Sequence, residues 1–163
     1  MRRLIAAVLS VAAFALVHPS ASLAQVEQVR IGVDGLTCNL CAAGLERSLR
    51  KVAGVSNVEI ALEQETALVT YKTGAAFNAD ALRTAVRNAG QRAREFELQL
   101  TAAVERLDGQ YQLHPAAGPR LAVNRQSAPK LDAYVGQVVR VRAKVTSLAR
   151  GPLELELTDV ARR

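Results

Sequence analysis

Two cysteines, Cys38 and Cys41, stand in the stretch GLTCNLC, and the 163-residue chain has no others. Such a pair can close a disulfide, cycle as a redox couple, or hold a metal ion. A cysteine in a loop followed by one in the first helical turn brings two sulfurs within reach of a single ion. The positive end of the helix and its unsatisfied N–H groups favour the thiolate forms that bind metal. The supply of other ligands narrows the choice of ion. The only methionine is Met1, and the histidines are His18 and His114. Asp34 reads as a turn residue, and His114, beside Pro115, as an exposed loop histidine. A structural zinc site closes with four ligands. Two thiolates alone suit a soft ion that accepts near-linear coordination, which puts Cu(I) or Hg(II) first as bound cargo.

The elements that must position the pair are legible from periodicity. VEQVRIGV alternates, with Val29, Ile31 and Val33 on one side, as a half-buried strand does. Asp34-Gly35 then opens a loop. From about Asn39 the period becomes helical, with Ala42, Leu45, Leu49 and Val52 on one face and Glu46, Arg47, Arg50 and Lys51 on the other. Thr37 or Asn39 suits the N-cap, and Gly54 follows the end. Alternation returns through Val58, Ile60 and Leu62, and again in TALVTY. Asn78 suits the cap of a second helix with Leu82, Ala85, Val86 and Ala89 as its apolar stripe, and Gly90 closes it. REFELQL completes a strand–helix–strand–strand–helix–strand order. One sheet with both helices on one face, the ferredoxin-like arrangement, satisfies that order and leaves the other sheet face wet.

From Thr101 onward the pattern changes. TAAVERL, QYQLH, RLAVNR, QVVRVRAKVTS and LELELTDV read as strands, with a possible helical turn near PKLDAY. Five short strands suggest a small barrel or roll, closed to avoid exposed edges, and YVGQVVRVRAKV has the look of an OB-type strand. The expected fold class is therefore α+β: a ferredoxin-like βαββαβ sandwich over residues 25–100, then a small all-β, OB-like domain of unknown role over residues 101–163. No Gly- or Pro-rich linker marks the boundary, so the two units are expected to pack directly.

Residues 1–24 read as a cleavable secretory signal. Arg2 and Arg3 precede an apolar core too short to span a bilayer, and Ser22 and Ala24 place small residues before a cleavage expected after Ala24. The mature chain is then exported, most simply to a periplasm, without membrane insertion. Residues 25–100 carry nine basic and nine acidic side chains, residues 101–163 ten against six, and Arg2 and Arg3 the rest, so the net charge of +6 is diffuse. With no basic run and only 4% aromatic residues, nucleic-acid binding is a poor fit. Nothing groups into a nucleophile with its base, so hydrolysis has no support.

GLTCNLCAAGLERSLRKVAGVSNVEIALEQETALVTY, with the later LRTAVRNAG, resembles the heavy-metal-associated domain family, which includes copper chaperones, modules of metal-exporting ATPases and periplasmic mercury-binding proteins. The resemblance covers about 70 residues and implies that Cys38 and Cys41 are the metal ligands. It places Gly35, Leu36 and Thr37 on the family's Gly-Met-Thr lead-in, with Leu36 in place of a methionine that packs under the loop. It also places Gln91 and Arg92 where the family often has Tyr, Phe or Lys near the metal, which puts a shielding role for that loop in doubt. As partners it implies an inner-membrane metal transporter or another periplasmic carrier.

Two rivals use the same cysteines. A thioredoxin-type thiol–disulfide oxidoreductase also sets CxxC at a helix start, but it needs a proline facing the disulfide, and none lies between Gln25 and Leu100. An inert disulfide would close too small a loop to stabilise much. The reading that results is a non-enzymatic periplasmic carrier or scavenger of Cu(I) or Hg(II), with the oxidoreductase as its alternative.

Overall fold

Strand β1 (Gln25–Asp34) sends Val29, Ile31 and Val33 into the core, as its alternation requires. The computed structural model describes residues 25–146 and 153–163, and the signal expected over residues 1–24 lies outside them. Helix α1 (Asn39–Leu49) buries Leu45 and Leu49. Strands β2 (Val55–Ala61) and β3 (Thr66–Tyr71) follow, then helix α2 (Ala79–Asn88) and strand β4 (Arg92–Leu107). These strands line up antiparallel in the order β2-β3-β1-β4, the ferredoxin-like arrangement within a mixed α+β structure. The helices are tied to each other where Ser48 Oγ donates to the Ala85 carbonyl at 2.7 Å.

Local chemistry sets the element ends. Asn78 Oδ1 accepts from the Ala81 N–H at 2.9 Å and caps α2, as expected. Past the same helix, Gly90 takes φ +83°, the left-handed conformation that glycine adopts without steric cost. In β2 the register shifts between Val55 and Asn57, so Val55 and Val58 are both buried. The expected alternation from Val58 continues only weakly, with Ile60 and Leu62 half-buried.

The boundary expected between residues 100 and 101 falls inside β4, a single strand of 16 residues. No glycine or proline interrupts Gln91–Asp108, and Leu98, Leu100, Ala102 and Val104 bury the same face throughout. One edge of β4 pairs with β1 over Arg92–Thr101 and then with β5 (Gln110–His114) over Ala103–Leu107. The other edge pairs with β7 (Val138–Val145) over Glu97–Ala103. An open edge strand is a template for unwanted pairing, and β7 covers this one.

Strands β6 (Leu121–Val123) and β8 (Glu154–Arg162) complete a circuit, β4-β5-β6-β8-β7 and back to β4, with only the β6–β8 pair parallel. A 3₁₀ helix (Ala128–Tyr134) inserts Leu131, fully buried, against this circuit. Ser127 Oγ accepts from the Leu157 N–H at 2.9 Å and Lys130 Nζ donates to the Leu157 carbonyl at 2.7 Å, which satisfies β8 where β6 has ended. His114 ends β5 and is not a loop histidine: its Nδ1 lies 2.9 Å from Glu105 Oε1. Hydrogen bonds from Arg120 and then His114 hold the Glu105 carboxyl below its usual range.

Candidate metal centre

The loop between β1 and α1 presents both cysteines. Gly35 turns the chain at φ +88°, a conformation that strains any residue with a Cβ. Leu36 then drops into the core and is only 1% exposed, whereas Leu40, between the cysteines, is 83% exposed. One apolar side chain therefore anchors the loop, and the other stands in water beside the sulfurs. At the loop's entry, Arg94 Nη1 donates to Asp34 Oδ1 at 3.1 Å and lies 3.6 Å from Glu65 Oε2. Asp34 is thus an ion-paired strand end as well as a turn residue.

Neither Thr37 nor Asn39 caps α1. The cap is Cys38: its backbone is extended and its Sγ accepts the Cys41 N–H at 3.0 Å. The Cys38 carbonyl accepts the first helical N–H, from Ala42, at 2.9 Å. A sulfur in this position sits at the positive end of the helix and takes one of its unsatisfied donors, both of which stabilise a thiolate. Cys38 is exposed and Cys41 is half-buried. The two are joined as a disulfide, with Cα atoms 5.1 Å apart, so holding an ion requires prior reduction. Reduced, they offer two soft sulfurs within about one helical turn.

Behind the loop stands a residue whose contact the sequence did not foretell. Gln91 is buried, and its Nε2 donates to the Cys41 carbonyl at 3.3 Å across a separation of 50 residues. Its Cγ would lie 3.8 Å from a Cβ placed on Gly35. Its Oε1 has no hydrogen-bond partner. The family resemblance puts this position in a loop near the cysteines, but nothing in the sequence gives it the Cys41 carbonyl as a partner. The bond depends on the packing of the α2–β4 connection against α1, which periodicity does not reveal. Arg92, next in the chain, is exposed. His114 lies in the second half of the molecule, and no group of three or more His, Cys, Asp or Glu poised for a metal occurs among the described residues.

Part of this chain is similar to known proteins. Residues 30–92 match the model of the heavy-metal-associated domain. Human copper-transporting ATPase 2 is 40% identical over 55 residues, which are 33% of this chain and 4% of that protein. The mercuric transport protein periplasmic component of Shigella flexneri is 38% identical over 48 residues, 29% of this chain and 53% of its own length. The chain thus spans about half of one relative and a small module of the other. Among solved structures, oxidized MerP from Ralstonia metallidurans CH34 is 29% identical, with a TM-score of 0.39 over 42% of this chain and 94% of that one.

Proposed function

Residues 30–92 of this chain are a heavy-metal-associated domain, and on that premise we propose that the protein is a periplasmic carrier or scavenger of Cu(I) or Hg(II), without enzymatic activity. Its ligands in this reading are the reduced sulfurs of Cys38 and Cys41, with Gly35, Leu36 and Thr37 shaping the loop. The observation that carries the reading is the placement of both sulfurs at one helix start, one exposed and one half-buried, on that domain. A surface site suits an ion that must be handed on, and two thiolates suit soft ions better than zinc, which wants four ligands. A metal transporter of the inner membrane or a second periplasmic carrier is the partner that fits this chemistry.

The same reading takes residues 101–163 as an OB-like barrel. The closed strand circuit, with its single parallel pair and the 3₁₀ helix between β6 and β7, supports it. The barrel's part in this reading is to brace β4, whose other end pairs beside the metal loop.

Competition titration of the reduced chain tests the proposal. One Cu(I) or Hg(II) is expected per monomer, held far more tightly than zinc. Cys38→Ser and Cys41→Ser should each abolish tight binding, because a lone thiolate leaves the ion seeking an external ligand. Near-wild-type affinity in either variant would sink the paired site, and a preference for zinc with nitrogen or oxygen ligands would overturn the choice of ion.

A further inference from the structure

Beside the cysteine loop lies a cleft of about 440 Å³ lined by Arg83, Arg87, Gly90, Gln91, Arg92 and Ala93, within the roughly 300–1,000 Å³ of small-molecule sites. Three of its six walls are guanidinium groups and none is a carboxylate. Arg83 is paired with Asp80. Arg87 has the neutral Thr84 hydroxyl as its partner at 3.2 Å, and no ion pair is formed by Arg87 or Arg92 among the described residues. Residues 25–100 are balanced in charge overall, so this excess of positive charge is local. One wall, Gln91, donates from its side chain to the Cys41 carbonyl at 3.3 Å. Gln91 thus links the cleft to the Cys41 backbone.

We propose that this cleft docks a low-molecular-weight thiol bearing carboxylates, an amino-acid or short-peptide thiol, which reduces the Cys38–Cys41 disulfide. The carboxylates pair with Arg87 and Arg92. The docked thiolate attacks Cys41 Sγ. A bond forms between the ligand sulfur and Cys41, the Cys38–Cys41 bond breaks, and its electron pair leaves on Cys38 as thiolate. The Cys41 N–H, which already donates to Cys38 Sγ at 3.0 Å, and the helix terminus stabilise that leaving group. A second thiol loses its proton to solvent and attacks the ligand sulfur, so the ligand departs as its own disulfide and Cys41 takes the electron pair. Two thiols are oxidised to one disulfide, and the protein disulfide gains two electrons. The product is the dithiol, and the step itself needs no metal.

The test measures reduction of the oxidised full chain, by alkylation of released thiols, with glutathione and with uncharged 2-mercaptoethanol at matched thiolate concentration and low salt. The ratio of the two rates cancels changes in the disulfide's intrinsic reactivity. In R87Q/R92Q it should fall about tenfold, the lower end of electrostatic rate steering, and wild type should show the same fall at high salt. R87E/R92E should instead favour the cationic thiol cysteamine. An unchanged ratio in R87Q/R92Q overturns the proposal. So does an equal slowing by both thiols, which would mean that the arginines act on the disulfide and do not dock the reductant. Because no metal enters the assay, these outcomes are independent of whether the dithiol carries Cu(I) or Hg(II).

Discussion

Within the cysteine loop, Leu36 and Leu40 are four residues apart and have opposite jobs. Leu36 is fully buried and fixes the loop to the core, while Leu40 is almost fully exposed. Replacing Leu36 with Ala deletes buried methyl groups and leaves a cavity beneath the cysteines, so a loss of about 2–5 kcal/mol is expected. Leu36→Met conserves volume and should cost less than about 1.5 kcal/mol. Leu40→Ala, on the surface, should stay within about 0.5 kcal/mol. Denaturant unfolding of the three variants checks the order, and an Leu36→Ala chain as stable as wild type would remove the anchor role. The cysteine pair and the Gly-Leu-Thr lead-in were legible in sequence because they are contiguous. The cap was not legible, because hydroxyl and amide side chains lead the N-cap preference and a sulfur cap falls outside it. The Gln91 bond was invisible for a different reason: its partner lies 50 residues away and no local pattern encodes it.

Among the elements, the strands and helices of the first half follow their periodicity because each has one face in the core and one in water. Strand β3 shows this most clearly, burying Ala67, Val69 and Tyr71 in strict alternation. Its last residue carries a cost, however. Tyr71 is buried edge-on against Phe77, and its hydroxyl has no well-formed hydrogen bond. Desolvation pushes the phenol up to about 12, offset only in part by the backbone of Asn78. The neutral form is thus the one the fold accepts. The native state keeps this proton until about pH 12, whereas the unfolded chain releases it near pH 10. Stability from this group is therefore intact below the unfolded value and falls as pH rises from about 10 towards 12. Tyr71→Phe removes an unsatisfied polar atom and should be neutral or stabilising by up to about 1 kcal/mol at pH 7. Its advantage over wild type should widen above pH 10, as thermal unfolding at pH 8 and pH 11 would show. A variant less stable than wild type at both pH values would mean that the hydroxyl has a partner worth keeping.

For the whole molecule, the decisive feature is that β4 belongs to both halves. Sequence reading placed five strands after Thr101 and found four of them, β5 to β8, as separate segments. The remaining one, TAAVERL, is the continuation of REFELQL, and a uniform run of alternating residues cannot announce where one sheet hands over to another. Closure was expected, but the pairings that achieve it were hidden, since β4–β7 and β6–β8 join segments far apart in the chain. The consequence is mechanical. Over Glu97–Thr101, β4 is hydrogen-bonded to β1 on one edge and β7 on the other, and Thr101 Oγ1 also donates to Glu27 Oε1 at 2.7 Å. A chain ending at Leu100, which the sequence alone presents as a self-sufficient metal-binding domain, would cut this strand in its middle. It would expose the β4 edge and strip Leu98 and Leu100 of their β7 neighbours Ala143 and Val141. The loss should reach several kcal/mol, a large part of the roughly 5–15 kcal/mol available to a domain of ordinary stability. The full chain should unfold in one transition, with the two halves melting together, and the 25–100 fragment should melt far lower or associate through its open edge. Calorimetry of the two chains decides the matter. Two separate transitions in the full chain, one matching the fragment, would show that β4 transmits nothing between the halves and that the cysteine loop folds without the second half.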